Sequence, residues 1–504
     1  MSLVSNSFLI LAGASLIVYY LAPAKIRWVV LLVSSYIYYI MSGAKLTGFI
    51  LFSTLVTFTA ARLIAYLYEK NTGSRWPRRI LILALLLNLG MLGYLKYTGF
   101  LLENLNALFH MNLRGADLVL PLGISFFTFQ STGYLLDVYW KRVEAEKNPL
   151  RYGLFVSFFP QLMQGPIGRY SQLAHQLYEP HSLNRDNLVR GTERMLWGFF
   201  KKIVIADWAV VFVDAIFDTP ELYPGVALFG VLFYTIELYM DFSGAMDIVI
   251  GLSQMYGITL EENFRRPFFA TSLEDFWRRW HITLGTWMKE YLFYPLTLSG
   301  WMNRFGKWAK KKFGRKTGRL LPICLANVIV FLAVGLWHGA EWKYVFYGFY
   351  NGLIIASSQL LAGTYRDWKK TLHISGKETW YVLFMVFRTL ILTIIRMYFD
   401  RADSIRQAVR MMISSLTSFR PSVLLTIPAG RDGLSFTPYA LMIIVGGCIV
   451  VFVVEFLQER GVQIRDSLAK LPLPATAAVW FVLLLSIGLF GSTAATKGFI
   501  YAQF

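Results

Sequence analysis

Apolar positions in this chain gather into long, nearly uncharged runs, separated by short polar segments rich in Lys and Arg. About 20 mostly apolar residues are needed to cross a bilayer core. On that measure residues 8–21, 26–40, 46–68, 80–95, 119–139, 196–217, 226–240, 320–337, 344–361, 380–395, 439–457 and 477–491 are candidate spans. Several are short for a full crossing, which predicts tilted, broken or re-entrant segments. No soluble domain of any size, internal repeat or low-complexity linker separates them. The first run has no basic segment before it and no small-residue cleavage site after it, so it reads as a retained span and not a signal peptide.

Composition agrees with a membrane solvent. Charged residues make up 16% of the chain, where an ordinary globular protein has about 25%. Apolar residues are 56% before the 39 glycines are counted, and mean hydropathy is +0.49. That excludes the set of about three soluble domains that 504 residues would otherwise accommodate. The 49 Lys+Arg exceed the 30 Asp+Glu by 19. In a soluble protein that excess would suggest nucleic acid. In a polytopic membrane protein it follows from the positive-inside rule and from anionic cytoplasmic lipid, so the partner is the bilayer and no nucleic acid is expected. The two cysteines, Cys324 and Cys448, lie in apolar runs and supply no disulfide framework or metal spacing.

Loop charge predicts orientation. Lys25 and Arg27 follow the first span, Lys70, Arg75, Arg78 and Arg79 the third, and Lys141, Arg142 and Lys147 the fifth. These loops are expected in the cytoplasm, with the N-terminus outside. Between Trp301 and Arg319 lie eight basic residues and no acid; they read as a topology anchor, with a site for a phosphorylated donor as the alternative. The basic segments 366–377 and 460–470 fall on the same side, and the tail 492–504 comes out extracytoplasmic. The loop 397–438 is placed outside although it carries several arginines, and long loops obey the rule poorly.

Residues 152–300 resist division into spans. They are apolar but interrupted by Pro160, Gly165-Pro166, Asp241, Asp247, Arg265-Arg266-Pro267 and Arg278-Arg279. Irregular backbone and charge at membrane depth are tolerated only inside protein or against water. The region therefore reads as re-entrant or surface-lying elements around a cavity. Of the six histidines, His110, His175, His181 and His373 sit in polar loops or near span ends. His338 closes an apolar run beside Trp337, and His281 ends the cluster Phe276-Trp-Arg-Arg-Trp-His281. An imidazole in a low-dielectric site stays neutral and can accept a proton near neutral pH, so two in one cavity could share base and orienting roles. HExxH, paired cysteines and a third nearby histidine are absent, and no metal is expected. No P-loop, dinucleotide loop or GxSxG elbow appears.

The segments Gln164-Gly-Pro-Ile-Gly-Arg169, Asp241-Phe-Ser-Gly-Ala-Met-Asp247, Asn263-Phe-Arg-Arg-Pro-Phe268 continuing to Phe276–His281, and Gly335-Leu-Trp-His-Gly339, with Tyr291-Leu-Phe-Tyr-Pro-Leu296, occur in this order. Together they resemble the bacterial branch of the membrane-bound O-acyltransferases. That resemblance implies an all-α polytopic membrane protein, a bundle of about 11–12 transmembrane helices with re-entrant and interfacial helices around a central tunnel. It implies one integral membrane domain over 1–504: N-terminal spans 1–118, a catalytic core 119–352, C-terminal spans 353–491 and an extracytoplasmic tail 492–504. It places the catalytic base at His338, the second catalytic position at His281, and an acyl-donor path along Trp277, Arg278, Arg279 and Trp337. Arg169 and Asp241 are expected to hold broken helices. The ending Phe499-Ile-Tyr-Ala-Gln-Phe504 resembles a terminal motif of this system, which would make Tyr501 an acyl carrier; Ala502 stands where an aromatic is common.

The activity so implied is transfer of an acyl group, expected to be acetyl from acetyl-CoA, from the cytoplasm to hydroxyls of an extracytoplasmic polysaccharide, aided by an extracytoplasmic SGNH-hydrolase-like partner. The setting would be a bacterial inner membrane with both termini outside. A lipid or protein O-acyltransferase is the nearest alternative. An envelope-polysaccharide transporter or flippase, or a non-enzymatic scaffold, would belong to other classes.

Overall fold

A computed structural model describes the chain except for residues 71–72, 116–117, 163, 428–436, 493–497 and 500–504. Helices dominate because a segment in hydrocarbon must satisfy its backbone N–H and C=O groups within itself. Among the described residues five helical stretches are long and apolar enough to cross a membrane: Ala24–Glu69, Trp76–Phe109, Gly300–His338, Thr379–Arg401 and Thr437–Glu459. A sixth is added if Trp342–Leu360 and Ala362–Thr371, bent by 55°, form one span. Asn6–Leu21 and Pro474–Phe490 are shorter apolar helices. The chain is an all-α, multi-pass membrane protein. Single β-type pairing among the described residues is confined to a bridge between Phe264 and Trp280, and that bridge shapes the site described below.

Three elements depart from the sequence pattern, each for a physical reason. Trp76–Phe109 outruns the expected 80–95, opening with Pro77 in its first turn, where the missing N–H costs nothing. Gly300–His338 contains the expected span 320–337, but Gly314 has φ +79° and ψ 168° and breaks it. The chain turns back there: a side chain at Gly318 would meet the Lys310 backbone at 2.4 Å, and Gly306 approaches Pro322. The basic run is thus the exposed tip of a helical hairpin, where solvated charge belongs. Third, Ala227–Met255 runs unbroken through Asp241 and Asp247, because both carboxylates find cationic partners.

The chain divides into two units. The first comprises Met1–Phe199 and Phe242–Glu262 with the described part of Gly498–Phe504. Its N-terminal helices are Asn6–Leu21, Arg27–Gly43, Thr47–Glu69, Trp76–Phe109 and Ile124–Tyr139. Between its helices Ser53 donates to Asn88, whose amide donates to Thr57. Arg194 bonds Asp247 at 2.9 Å and both oxygens of Glu262, which neutralises the second acid of the Asp241–Asp247 segment. Ala227–Met255 gives its later residues to this unit.

The second unit comprises Phe200–Asp241 and Asn263–Lys497. It begins with a π-helical stretch, Phe200–Ala206, which carries Lys202. Lys202 Nζ lies 2.8 Å from Asp207 and 2.6 Å from Asp241, all three buried. A π-helical turn re-aims one side chain relative to the α-helix on either side, and here it lets one ammonium serve two acids. Asp241 therefore ties its helix, which is continuous and not broken as expected, to the segment that carries Lys202.

Candidate active site

The site is assembled in the second unit from four separate stretches of chain. The first is a short helix, Leu273–Arg279, capped by Ser272, whose hydroxyl accepts from the Asp275 N–H. Acids in its first turn and arginines in its last suit the helix dipole. Beyond it the chain runs antiparallel to residues 263–265: Arg265 N–H donates to the Arg279 carbonyl, and Ile282 N–H to the Asn263 carbonyl. These bonds hold His281 in a left-handed conformation, φ 47° and ψ 52°, at the start of helix Ile282–Met288. Such a conformation in a residue other than Gly costs about 1–3 kcal/mol, and it persists where surrounding bonds over-determine it.

Asn263 Oδ1 accepts from the backbone N–H and hydroxyl of Thr283, each at 3.0 Å, and meets His281 Nδ1 at 3.2 Å. A backbone N–H can only donate, so this amide oxygen is an acceptor and Nδ1 carries the imidazole proton. Nε2 is then the basic nitrogen. Full burial pushes the His281 imidazole down to about 3 from its ordinary 6.5, because loss of hydration disfavours the charged ring. His281 is neutral and a weak base, suited to holding or accepting a hydrogen bond.

His338 is the last residue of Gly300–His338. That helix crosses Trp342–Leu360 at close range: a side chain at Gly335 would meet the Tyr344 carbonyl at 2.1 Å, and one at Gly348 the Phe331 carbonyl at 2.3 Å. The crossing brings the His338 ring against Tyr347 at 5.2 Å and stacks it over Tyr344 at 6.3 Å. Trp337 packs against both imidazoles, 5.6 Å from the His281 ring and 5.0 Å from that of His338. Both histidines are buried. Residues 281 and 338, 57 positions apart by number, thus share one aromatic wall.

The remaining expected site residues separate. Trp277 faces inward and donates from its indole to Asn351 at 3.2 Å. Arg278 faces out and pairs with Glu274, while Arg279 pairs with Asp275 and Glu459. Their charges are matched to neighbouring carboxylates. Tyr501 lies outside the described residues. Among the described residues no group of three or more His, Cys, Asp or Glu side chains gathers as metal ligands would.

Sequence reasoning assigned no role to Asn263, Tyr347 or Arg396. Arg396 is fully buried near the end of Thr379–Arg401. Its guanidinium bonds the Tyr347 hydroxyl and lies over the rings of Phe276, Trp277, Trp280 and Tyr347, 4.8–5.8 Å from their centres. One signal was present: Arg396 and Asp400 stand one helical turn apart where an apolar run ends, and charge inside a membrane segment marks function by default.

Comparison with known proteins bears on this geometry. The MBOAT, membrane-bound O-acyltransferase, family matches residues 146–309. The chain is 34% identical over 368 residues to the "Probable alginate O-acetylase AlgI" of Azotobacter vinelandii, covering 71% of this chain and 68% of that protein. It is 35% identical over 320 residues to the "Peptidoglycan O-acetyltransferase" of Helicobacter pylori, covering 58% of each. To the "Teichoic acid D-alanyltransferase" of Bacillus subtilis it is 28% identical over 244 residues, 47% of this chain and 59% of that protein.

Proposed function

Because the chain belongs to the membrane-bound O-acyltransferase family and is an O-acyltransferase, we propose that it moves an acetyl group from cytoplasmic acetyl-CoA to hydroxyls of an extracytoplasmic polysaccharide. The names of its relatives, an alginate O-acetylase and a peptidoglycan O-acetyltransferase, support a polysaccharide acceptor and an acetyl group. The observation that carries the chemistry is the pair of buried imidazoles on one aromatic wall.

In this reading His338 is the base. It sits in the last turn of its helix, where the carbonyl ends of the backbone favour positive charge on the ring once a proton arrives. His338 takes the proton of an attacking hydroxyl as that oxygen adds to the thioester carbonyl carbon. His281, neutral and oriented by Asn263, assists through Nε2. Such general-base help contributes about 10²–10⁴ in rate. Trp277 and Trp337 line the donor path in this reading. Arg278 and Arg279 contribute by fixing the helix that carries Trp277. Tyr501 is proposed as an intermediate acceptor: its phenol, with a solution pKa of about 10, needs a base at neutral pH, and a phenyl ester passes its acyl group on readily. An SGNH-hydrolase-like protein outside the membrane would receive the group and deliver it to polymer. The setting is a bacterial inner membrane with both termini outside.

The test is O-acetylation of envelope polysaccharide in cells, together with mass spectrometry of the C-terminal peptide after incubation with labelled acetyl-CoA. His338→Ala is expected to abolish O-acetylation while the protein stays inserted and monodisperse. Acetyl on Tyr501 that depends on His338 is the expected relay signature. Near-normal O-acetylation by His338→Ala refutes the base assignment, and an unmodified tail in cells with acetylated polymer refutes the relay.

A further inference from the structure

Arg396 is a charged residue of the second unit that the site geometry described so far leaves unexplained. Its side chain is completely buried, and taking a charge out of water costs several kcal/mol unless something offsets it. Four aromatic rings face the guanidinium, which offsets part of that cost. Nη1 donates to Tyr347. Nε and Nη2 have no hydrogen-bond acceptor among the described residues, and each stranded donor costs about 1–3 kcal/mol.

A purely structural arginine would have an acceptor at hand. Asp400 is one turn further along the same helix, buried, and bonded through Oδ2 to the Tyr234 hydroxyl at 3.0 Å. Its Oδ1 also has no hydrogen-bond partner among the described residues. Yet the two charges form no ion pair. The acid offsets the cation from a distance and leaves two N–H groups open. Their position is specific: Trp280, one of the rings under the guanidinium, directly precedes His281, and Tyr347, another, packs against His338.

We infer that Arg396 is the oxyanion-binding residue of the acyl transfer, its Nε–H and Nη2–H receiving the carbonyl oxygen of the thioester as that oxygen becomes negative. This rests on the acyltransferase reading above. The hydroxyl oxygen forms a bond to the carbonyl carbon, the C=O π pair moves onto the oxygen held by Arg396, and the hydroxyl proton passes to His338. Collapse re-forms C=O and breaks the C–S bond, and the proton on His338 goes to the departing sulfur. The products are an ester and a free thiol. A dry aromatic cage with one cation and two open donors suits a single oxygen gaining one charge. It is too apolar for the doubly charged phosphates of the donor.

The experiment uses membranes carrying the full chain with acetyl-CoA as probe. Free-thiol release is measured above the background of His338→Ala, with kcat and KM separated. Removing one oxyanion donor costs about 10²–10³ in kcat, so Arg396→Met is expected to lose that much while its KM for acetyl-CoA changes less than about threefold, the pattern of an interaction made only in the transition state. If Arg396→Met does not give monodisperse protein, Arg396→Lys, which keeps the charge without the planar pair of donors, is expected to fold and show the same kcat loss. Partial restoration of folded Arg396→Ala by added ethylguanidinium is the expected second sign, since a lost packing contact would not be restored in kcat. Folded Arg396→Met or Arg396→Lys with near-wild-type kcat overturns the inference while leaving the base assignment intact. Wild-type release equal to that of His338→Ala overturns the reading beneath it, and the inference falls with it.

Discussion

Replacing Asn263 by alanine tests how His281 is set. Three donors converge on Asn263 Oδ1: the Thr283 backbone N–H, the Thr283 hydroxyl and the His281 Nδ1–H, at 3.0, 3.0 and 3.2 Å. All three residues are buried, so water does not replace the lost oxygen. The hydroxyl can rotate to another acceptor, whereas the backbone N–H and the ring N–H are fixed. Two stranded donors at about 1–3 kcal/mol each give a destabilisation of about 4 kcal/mol. Against a whole-protein stability of about 5–15 kcal/mol, Asn263→Ala is folded but much weakened. The imidazole also loses the partner that places its proton on Nδ1, so turnover falls beyond what the lower melting point explains. Asn263→Asp keeps an acceptor oxygen; it is expected to melt above Asn263→Ala, and its carboxylate raises the His281 pKa from about 3. The assay is thermal unfolding in detergent, followed by tryptophan fluorescence, beside His338-dependent thiol release at a temperature where every variant is folded. An alanine variant that melts and turns over like the wild type refutes the argument.

Other expectations follow from the same contacts. The His281 pKa is lowered from 6.5 to about 3 in the fold, so the unfolded chain takes up that proton first; stability is full above pH 6.5 and falls by about 1.4 kcal/mol per unit as pH drops from there towards 3. His281→Asn should remove one proton from that slope in unfolding scans between pH 7.5 and 4.5, and an unchanged slope would contradict neutral burial. Lys202→Met strands Asp207 and Asp241; breaking a buried pair this way costs about 3–5 kcal/mol, so the yield of monodisperse protein should collapse and recover partly when Asp241→Asn is added. Gly335→Ala places a carbon 2.1 Å from the Tyr344 carbonyl, forcing the helix crossing apart and moving His338, so activity should be lost. Gly300→Ala, with nothing within 4 Å, should behave as wild type in the same expression and activity assays.

How much of this was legible in the chain can be judged residue by residue. Membrane class, helical architecture and the positions of most spans follow from local composition, since hydrocarbon requires each segment to close its own backbone hydrogen bonds. His281 and His338 stood out for a similar local reason, each being an imidazole beside tryptophan in an apolar setting. Asp241 and Asp247 suggested broken backbone, but Ala227–Met255 is continuous, because Lys202 and Arg194 come from other segments to neutralise them. The hairpin at Gly314 was hidden inside a basic run that reads the same whether straight or folded back.

What only tertiary structure decided is which side chains meet. Trp337 touches two imidazoles from distant parts of the sequence, and Arg396 reaches the neighbours of both. Arg278 and Arg279 pair with carboxylates, while Arg396, at the end of an apolar run, stays inside. Hydropathy is a property of each segment against its solvent and can be read along the chain. Pairing of charges and rings depends on distances that appear only when helices pack.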